Sequence, residues 1–301
     1  GSWRRWNGSE WVTVATNLDV TKDWSFCNFK GGFSSINLLG ANGAQVKKWN
    51  GTTLSNLSDA PVGLNYIEQY ADRVWGIVGN TLHASGYRNA EDWTSTPPPD
   101  AIDDSVSFFA EIETPDGETI NGLKAGLGRL VIFKPSAMFE LRGYTPSDYR
   151  VDPISTNIGV INNKCIAVLQ SGMYFLDDTG IYVYHGDGVA PQKGFSKPVQ
   201  WFVDHMNPAG KEKCSMGTDG KLLYISIPME SADPDTILVF DPERYVWNVY
   251  SGFSAVHFAN VGTNTFLGDS DGSVRLLGGQ NDDGQPIPWL WVSKPFTAGS
   301  L

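Results

Sequence analysis

Four histidines, His83, His185, His205 and His257, are the first groups to ask for acid–base or metal chemistry. No H-x-x-x-H or H-E-x-x-H spacing joins any two, so zinc-type ligation is not expected. Each reads as a hydrogen-bonded or surface imidazole. Gly-Phe-Ser occurs at 32–34, 194–196 and 252–254. A hydrolase nucleophile elbow needs G-x-S-x-G, and the second glycine is missing each time. Gly210-Lys211 precedes Glu212, where a phosphate cradle needs Ser or Thr, and position 205 is not glycine. Asp269-Ser270-Asp271-Gly272 begins like a calcium loop, but its twelfth position is Gln280. The acid pairs Asp103-Asp104, Asp177-Asp178 and Asp282-Asp283 fall on expected turns, where Asp caps local backbone. Glycosidic cleavage would need two carboxylates facing each other across a pocket, about 5–10 Å apart. That remains a third-ranked reading, with Asp269 and Asp271 as its carriers. No cofactor or metal is expected.

Charge narrows the partners. The chain of 301 residues carries 22 Lys and Arg against 33 Asp and Glu, a net −11. Gripping phosphate backbones or anionic membranes needs clustered cations. The nearest clusters are Arg4-Arg5 and Lys47-Lys48, each beside Trp on an expected strand. No apolar run approaches the ~18 residues of a membrane span. Cys27, Cys165 and Cys214 are too far apart for a C-x-x-C pair and read as free, mostly buried thiols, which leans towards a reducing compartment.

The elements that would position any of these residues are hairpins. An apolar run, a polar turn and a second apolar run recur at 33–49, 72–85, 128–142, 172–185, 220–241 and 264–277. Their starts lie about 40–56 residues apart, near the period of one four-stranded propeller blade. Runs such as Leu130–Phe133 and Leu222–Ile225 are apolar throughout, as expected for strands sandwiched between neighbouring sheets. The expected fold is all-β: one β-propeller over 1–301, with six blades of four-stranded antiparallel sheet. One short helix is expected where Pro198 precedes Val199, Phe202, Val203 and Met206. Asn-Gly at 7–8 and 50–51 predicts two-residue turns with positive φ at both central residues. The hairpin over 3–14 is expected to close the ring beside 263–279. The stretch 94–107, with Pro97-Pro98-Pro99 and Asp103-Asp104, reads as a surface loop within the repeat.

At these hairpins the chain resembles tailed-bacteriophage propeller proteins. The likeness runs through Ala71–Trp93, Ile120–Lys134, Phe139–Gly143, Gly172–Tyr184 and Leu267–Gly272, about two-thirds of the chain with the segments between. These motifs specify the propeller type better than the position in the particle. The resemblance implies a non-enzymatic structural protein of the virion, assembled in the bacterial host cytoplasm. Members include head-to-tail neck proteins that stabilise packaged DNA and nozzle proteins of short tails. It implies other tail or neck proteins as partners, self-association as a hexameric ring, and DNA that passes without tight binding. The acidic charge suits that passage, because basic residues would hold the duplex. It carries over no catalytic residue. Relatives are longer and the chain lacks an initiator Met, so it reads as a fragment or a processed product of a longer protein. The expected subunit interface comprises Trp93, Pro97, Pro98, Pro99, Asp103, Asp104, Trp289 and Trp291. A receptor- or carbohydrate-binding propeller of a tail tip is the second reading.

Overall fold

Each of the six hairpins lies in its own antiparallel sheet. The computed structural model describes residues 1–290 apart from Val20, Asp100, Gln280, Asp283 and Trp289. A separate hairpin comes first, β1 (Trp3–Trp6) and β2 (Trp11–Ala15). The first blade is β3 (Ser25–Phe29), β4 (Asn37–Ala41), β5 (Lys47–Trp49) and β6 (Leu54–Asn56). The second is β7 (Asn65–Tyr70), β8 (Arg73–Val78), β9 (Thr81–Ala84) and β10 (Phe108–Glu111). The third is β11 (Gly122–Gly126), β12 (Arg129–Phe133), β13 (Met138–Arg142) and β14 (Arg150–Ser155). The fourth is β15 (Ile166–Leu169), β16 (Gly172–Asp177) and β17 (Gly180–Tyr184). The fifth is β18 (Ser215–Thr218), β19 (Leu223–Ile227), β20 (Thr236–Asp241) and β21 (Val246–Ser251). The sixth is β22 (Ala255–Val261), β23 (Asn264–Asp269) and β24 (Val274–Leu277), followed by a small hairpin, β25 (Asn281–Asp282) and β26 (Gln285–Pro286).

The first strand of each blade contacts the first strand of the next, from β3 through β7, β11, β15 and β18 to β22. These strands line the axis, and later strands step outward. The fold is a six-bladed β-propeller. Middle strands are flanked by a blade on each face, so β16 and β19 are buried along their whole length. That burial is why their sequences lack polar alternation. Apolar clusters fill the seams between blades one and two (Leu39, Leu64, Ile67, Val74), two and three (Trp75, Leu82, Leu123, Leu130), three to five, and five and six (Tyr224, Val239, Leu267).

Among the described residues, four blades carry the expected four strands, and blades four and six carry three. After β17 the chain turns at Gly186 and Gly188, both at φ +75°. Pro191 then supplies no N–H, and only Gln192 pairs back, with Val183 at 2.8 and 2.9 Å. After β24, Gly278 and Gly279 at φ +130° and +109° turn the chain out of the sheet.

The expected helix is present as α1 (Gln200–Asp204), preceded by a 3-10 turn over Gly194–Val199 that contains Pro198. Val199, Val203 and Met206 face the core as their spacing implied. The Asn-Gly turns differ from expectation. Only Gly8 and Gly51 have positive φ. Asn7 and Asn50 instead cap four-residue loops, each accepting two backbone N–H bonds on its side-chain oxygen.

Among the described residues, the hairpin over 3–14 pairs only within itself and shares no ladder with β23 or β24. It is held instead to the first blade. The Trp3 ring lies 4.9 Å from that of Trp24 and 5.2 Å from that of Phe26. A Cβ on Gly40 would meet the Trp3 ring at 2.6 Å, so glycine is required under it. Phe26 and Gly40 are paired residues facing away from the seam that Leu39 and Ala41 fill against blade two. The hairpin therefore sits on the far side of blade one.

Candidate functional site

The axis is where propellers commonly place chemistry, and here it is bridged. Asp23, just before β3, meets Lys164, just before β15, at 2.7 Å. Blades one and four are opposite in a six-membered ring, so this ion pair crosses the axis. His257 on β22 stands 4.0 Å from the same carboxylate. Burial and the nearby Lys164 hold the His257 imidazole below its usual range. Glu68 on β7 pairs with Lys124 on β11 at 2.6 Å. Burial pushes the Glu68 carboxyl up, and Lys124 opposes the shift. Burial also raises the Cys27 thiol beside them, an inert environment for sulfur. All three cysteines are free. Among the described residues no three His, Cys, Asp or Glu side chains gather to hold a metal. None of the described helices is long and apolar enough to cross a membrane.

Other acids are committed locally. Asp269, at the end of β23, pairs with Arg275 at 3.1 Å, and Asp271, in the β23–β24 turn, accepts from the Ser273 N–H at 2.7 Å. Glu140, 1% exposed, accepts from the Tyr184 hydroxyl and lies 3.3 Å from Arg142. Burial and that carboxylate push the Tyr184 phenol up to about 12. The cluster ties blade three to blade four.

A concavity lies between the long loop of blade two and the β13–β14 turn of blade three. It encloses about 460 Å³ and is lined by Trp93, Pro97, Ile102, Val106, Phe108 and Phe109, with Asp103, Asp104, Pro146 and Ser147 at the rim. Ile102 is 81% exposed and Phe109 70%, so the apolar trough opens to solvent.

One buried arginine builds it. The loop leaves β9 at Ser85 and returns at Phe108, and Arg73 at the start of β8 lies beneath both ends, 1% exposed. Its guanidinium donates to Ser85 O at 2.7 Å, to Val106 O at 2.6 Å, and to Asp104 O. A planar fork of donors can hold three carbonyls at once, which an ammonium cannot. Two serines close the loop above it. The Ser107 N–H donates to Ser95 Oγ, and the Ser107 hydroxyl to Ser95 O, both at 2.9 Å. Asp92 anchors Ser95 in turn, at 2.6 Å from its hydroxyl. Gly86 lies so close to Asp92 that a Cβ there would meet its carboxylate at 2.6 Å.

The residues singled out from sequence divide. Trp93 is 7% exposed, and its indole donates to Ala90 O at 2.6 Å, so it floors the trough instead of projecting from the surface. Pro97, Asp103 and Asp104 line the trough, while Pro98 and Pro99 are exposed beside it. Ser105 bonds to Asp103 through its hydroxyl and N–H and holds that carboxyl below the usual range. Asp104 accepts from Ser147 at 2.9 Å, joining the two blades across the rim. Trp289 and Trp291 lie outside the described residues. Sequence reasoning missed Arg73, Ile102 and Phe109. The signal was there for Arg73, since a charged residue opening an otherwise apolar buried strand needs partners.

No protein-family model matches the sequence, and no curated protein matches it. Among solved structures, the extracellular domain of BT4673 from B. thetaiotaomicron superposes with a TM-score of 0.58 at 12% identity, over 92% of this chain and 34% of that one. A second structure of the BT4673 domain gives 0.55 at 11%, over 90% and 35%. BamB from Moraxella catarrhalis gives 0.45 at 9%, over 86% of each chain. The chain spans about a third of the BT4673 domain. At such identity the BT4673 likeness establishes the propeller and carries no site.

Proposed function

We propose that this chain is a non-enzymatic structural subunit of a tailed-bacteriophage neck or tail, and that the trough on blade two is where a neighbouring protein docks. The observation that carries the reading is the contrast between axis and trough. The axial acids and bases are paired with one another, whereas the trough presents apolar side chains with no cover among the described residues. Exposed apolar surface rimmed by polar groups suits a protein partner. The hairpin resemblance supports a virion setting, with other tail or neck proteins and further copies, six in a ring, as partners. DNA then passes through the ring of copies, because each propeller's own axis is bridged by Asp23 and Lys164. Assembly takes place in the host cytoplasm.

The test is a mass-spectrometric inventory of gradient-purified particles from cells making the protein. The reading expects this chain in several copies per particle and no turnover on a polysaccharide panel. A chain that stays in the soluble lysate while particles form without it overturns the reading. A second reading, glycan binding at a tail tip, draws on Tyr144, 85% exposed near Pro146 and Ser147 at the rim. A blank glycan array removes it.

A further inference from the structure

The trough adjoins an open sheet edge. β10 is the outer strand of blade two and, among the described residues, pairs only with β9. Ile112 N–H donates to Asn80 O across that ladder, and the register sets Phe109 opposite His83. Antiparallel hydrogen-bonded pairs alternate, so the N–H and C=O groups of Phe109 and Glu111 point outward. Among the described residues nothing accepts from either N–H. The surroundings of this edge are acidic, with Asp103 and Asp104 on the rim and Glu111 exposed on the strand.

The complementary surface is on the same chain. In the Trp3–Trp6 strand, Arg4, Arg5 and Trp6 are exposed, and among the described residues β1 pairs only with β2. The Trp6 and Trp11 rings meet edge-on at 5.7 Å, and each is at least half exposed. Trp3 fixes this hairpin to the face of blade one turned away from blade two, so it cannot fold onto its own trough. In a chain of net −11, a paired arginine between tryptophans is a local positive charge that can approach an acidic rim.

We propose that the N-terminal hairpin of one copy docks on the blade-two edge of the next, β1 extending the sheet at β10 with Arg4 and Arg5 against Asp104 and Glu111. Added strands draw affinity from main-chain hydrogen bonds and specificity from alternate side chains. Donor and acceptor patches differ, so the contact is head-to-tail and closes into a ring or runs on as a filament. This deepens the structural role proposed above and rests on it.

The experiment is mass photometry and sedimentation of the purified chain and its charge-reversed forms. Wild type is expected to assemble beyond the monomer at tens of micromolar. R4E/R5E and D104R/E111R are each expected to weaken self-association at least ten-fold, and combining the four changes in one chain to restore it. Restoration excludes misfolding as the cause of the loss. A chain carrying Trp6→Cys and Phe109→Cys is expected to give oxidised multimers on a denaturing gel. A monomeric wild type, reversals that leave assembly intact, or no cross-linked multimers overturns the docking. A wild type that is monomeric yet incorporated into particles defeats the docking alone. Absence from particles with docking intact defeats the virion role alone.

Discussion

Replacing Arg73 by Met keeps much of the side chain's length and removes its five donors. Three carbonyls then lose a charged partner at both ends of the loop that forms the trough. Hydrogen bonds from charged donors contribute about 1.5–3 kcal/mol each. The guanidinium's own desolvation penalty disappears with it and offsets part of the sum. A net loss of about 2–4 kcal/mol is expected, at the upper end of single-residue effects. With roughly 2.1 cal/mol/K of unfolding entropy per residue, 301 residues give about 0.6 kcal/mol/K. The melting temperature therefore falls by about 5 °C. Calorimetry reads that shift, and limited proteolysis reads the freed loop, with new cleavage expected between Ser85 and Phe108. Arg73→Lys recovers only part of the loss, because an ammonium cannot span three carbonyls. A melting temperature within about 1 °C of wild type, with the loop still protected, refutes the clip.

Other perturbations follow from the same contacts. Gly40→Ala places a methyl against the Trp3 ring and is expected to displace the hairpin, costing about 1–3 kcal/mol and exposing Trp3 to fluorescence quenchers; unchanged quenching contradicts that packing. Burial lowers the His83 pKa from its usual 6.5, so the folded chain binds fewer protons than the unfolded one as pH falls through that value. Stability is then fully present above the unfolded pKa and is lost on acidification, by at most about 1.4 kcal/mol per pH unit. Urea melts at pH 5.5 and 7.5 check this, and His83→Gln should flatten the slope. Lys164→Met removes the bridge across the axis. Asp23 is more than half exposed, so the loss is expected to be only about 0–1 kcal/mol in denaturant melts; a loss above about 3 kcal/mol means the axis is drier than described.

The propeller was legible because each blade's middle strands must be apolar on both faces. That requirement writes itself into runs such as Leu130–Phe133 and Tyr174–Leu176, with turn glycines between them. The number of outer strands was not legible. Gln192 pairs back through a single residue after Pro191, too little to leave a periodic pattern. Asn7 and Asn50 marked turns correctly, yet the turn type depended on a side-chain cap that dipeptide statistics do not reveal. At the site, 94–107 was readable as a loop from its prolines and acids. Its partner across the trough, Pro146–Ser147, belongs to another blade, and nothing local links the two. The Arg73 clip joins Val74's neighbour to carbonyls as far along the chain as Val106, and the axial pair joins Asp23 to Lys164. Such long-range pairings are set by closure of the ring. Trp93 looked like surface because it sits among turn residues, but its indole N–H finds Ala90 within the turn and its ring goes inward.

Hydrogen exchange at residues 108–111, compared between the isolated chain and its assembled form, tests most directly whether this propeller works as a docking part. The Phe109 and Glu111 amides, open to water in the single chain, should slow at least ten-fold on assembly, while those of Phe108 and Ala110, already in the ladder, change little. Equal exchange of Phe109 and Glu111 in both forms would contradict the account.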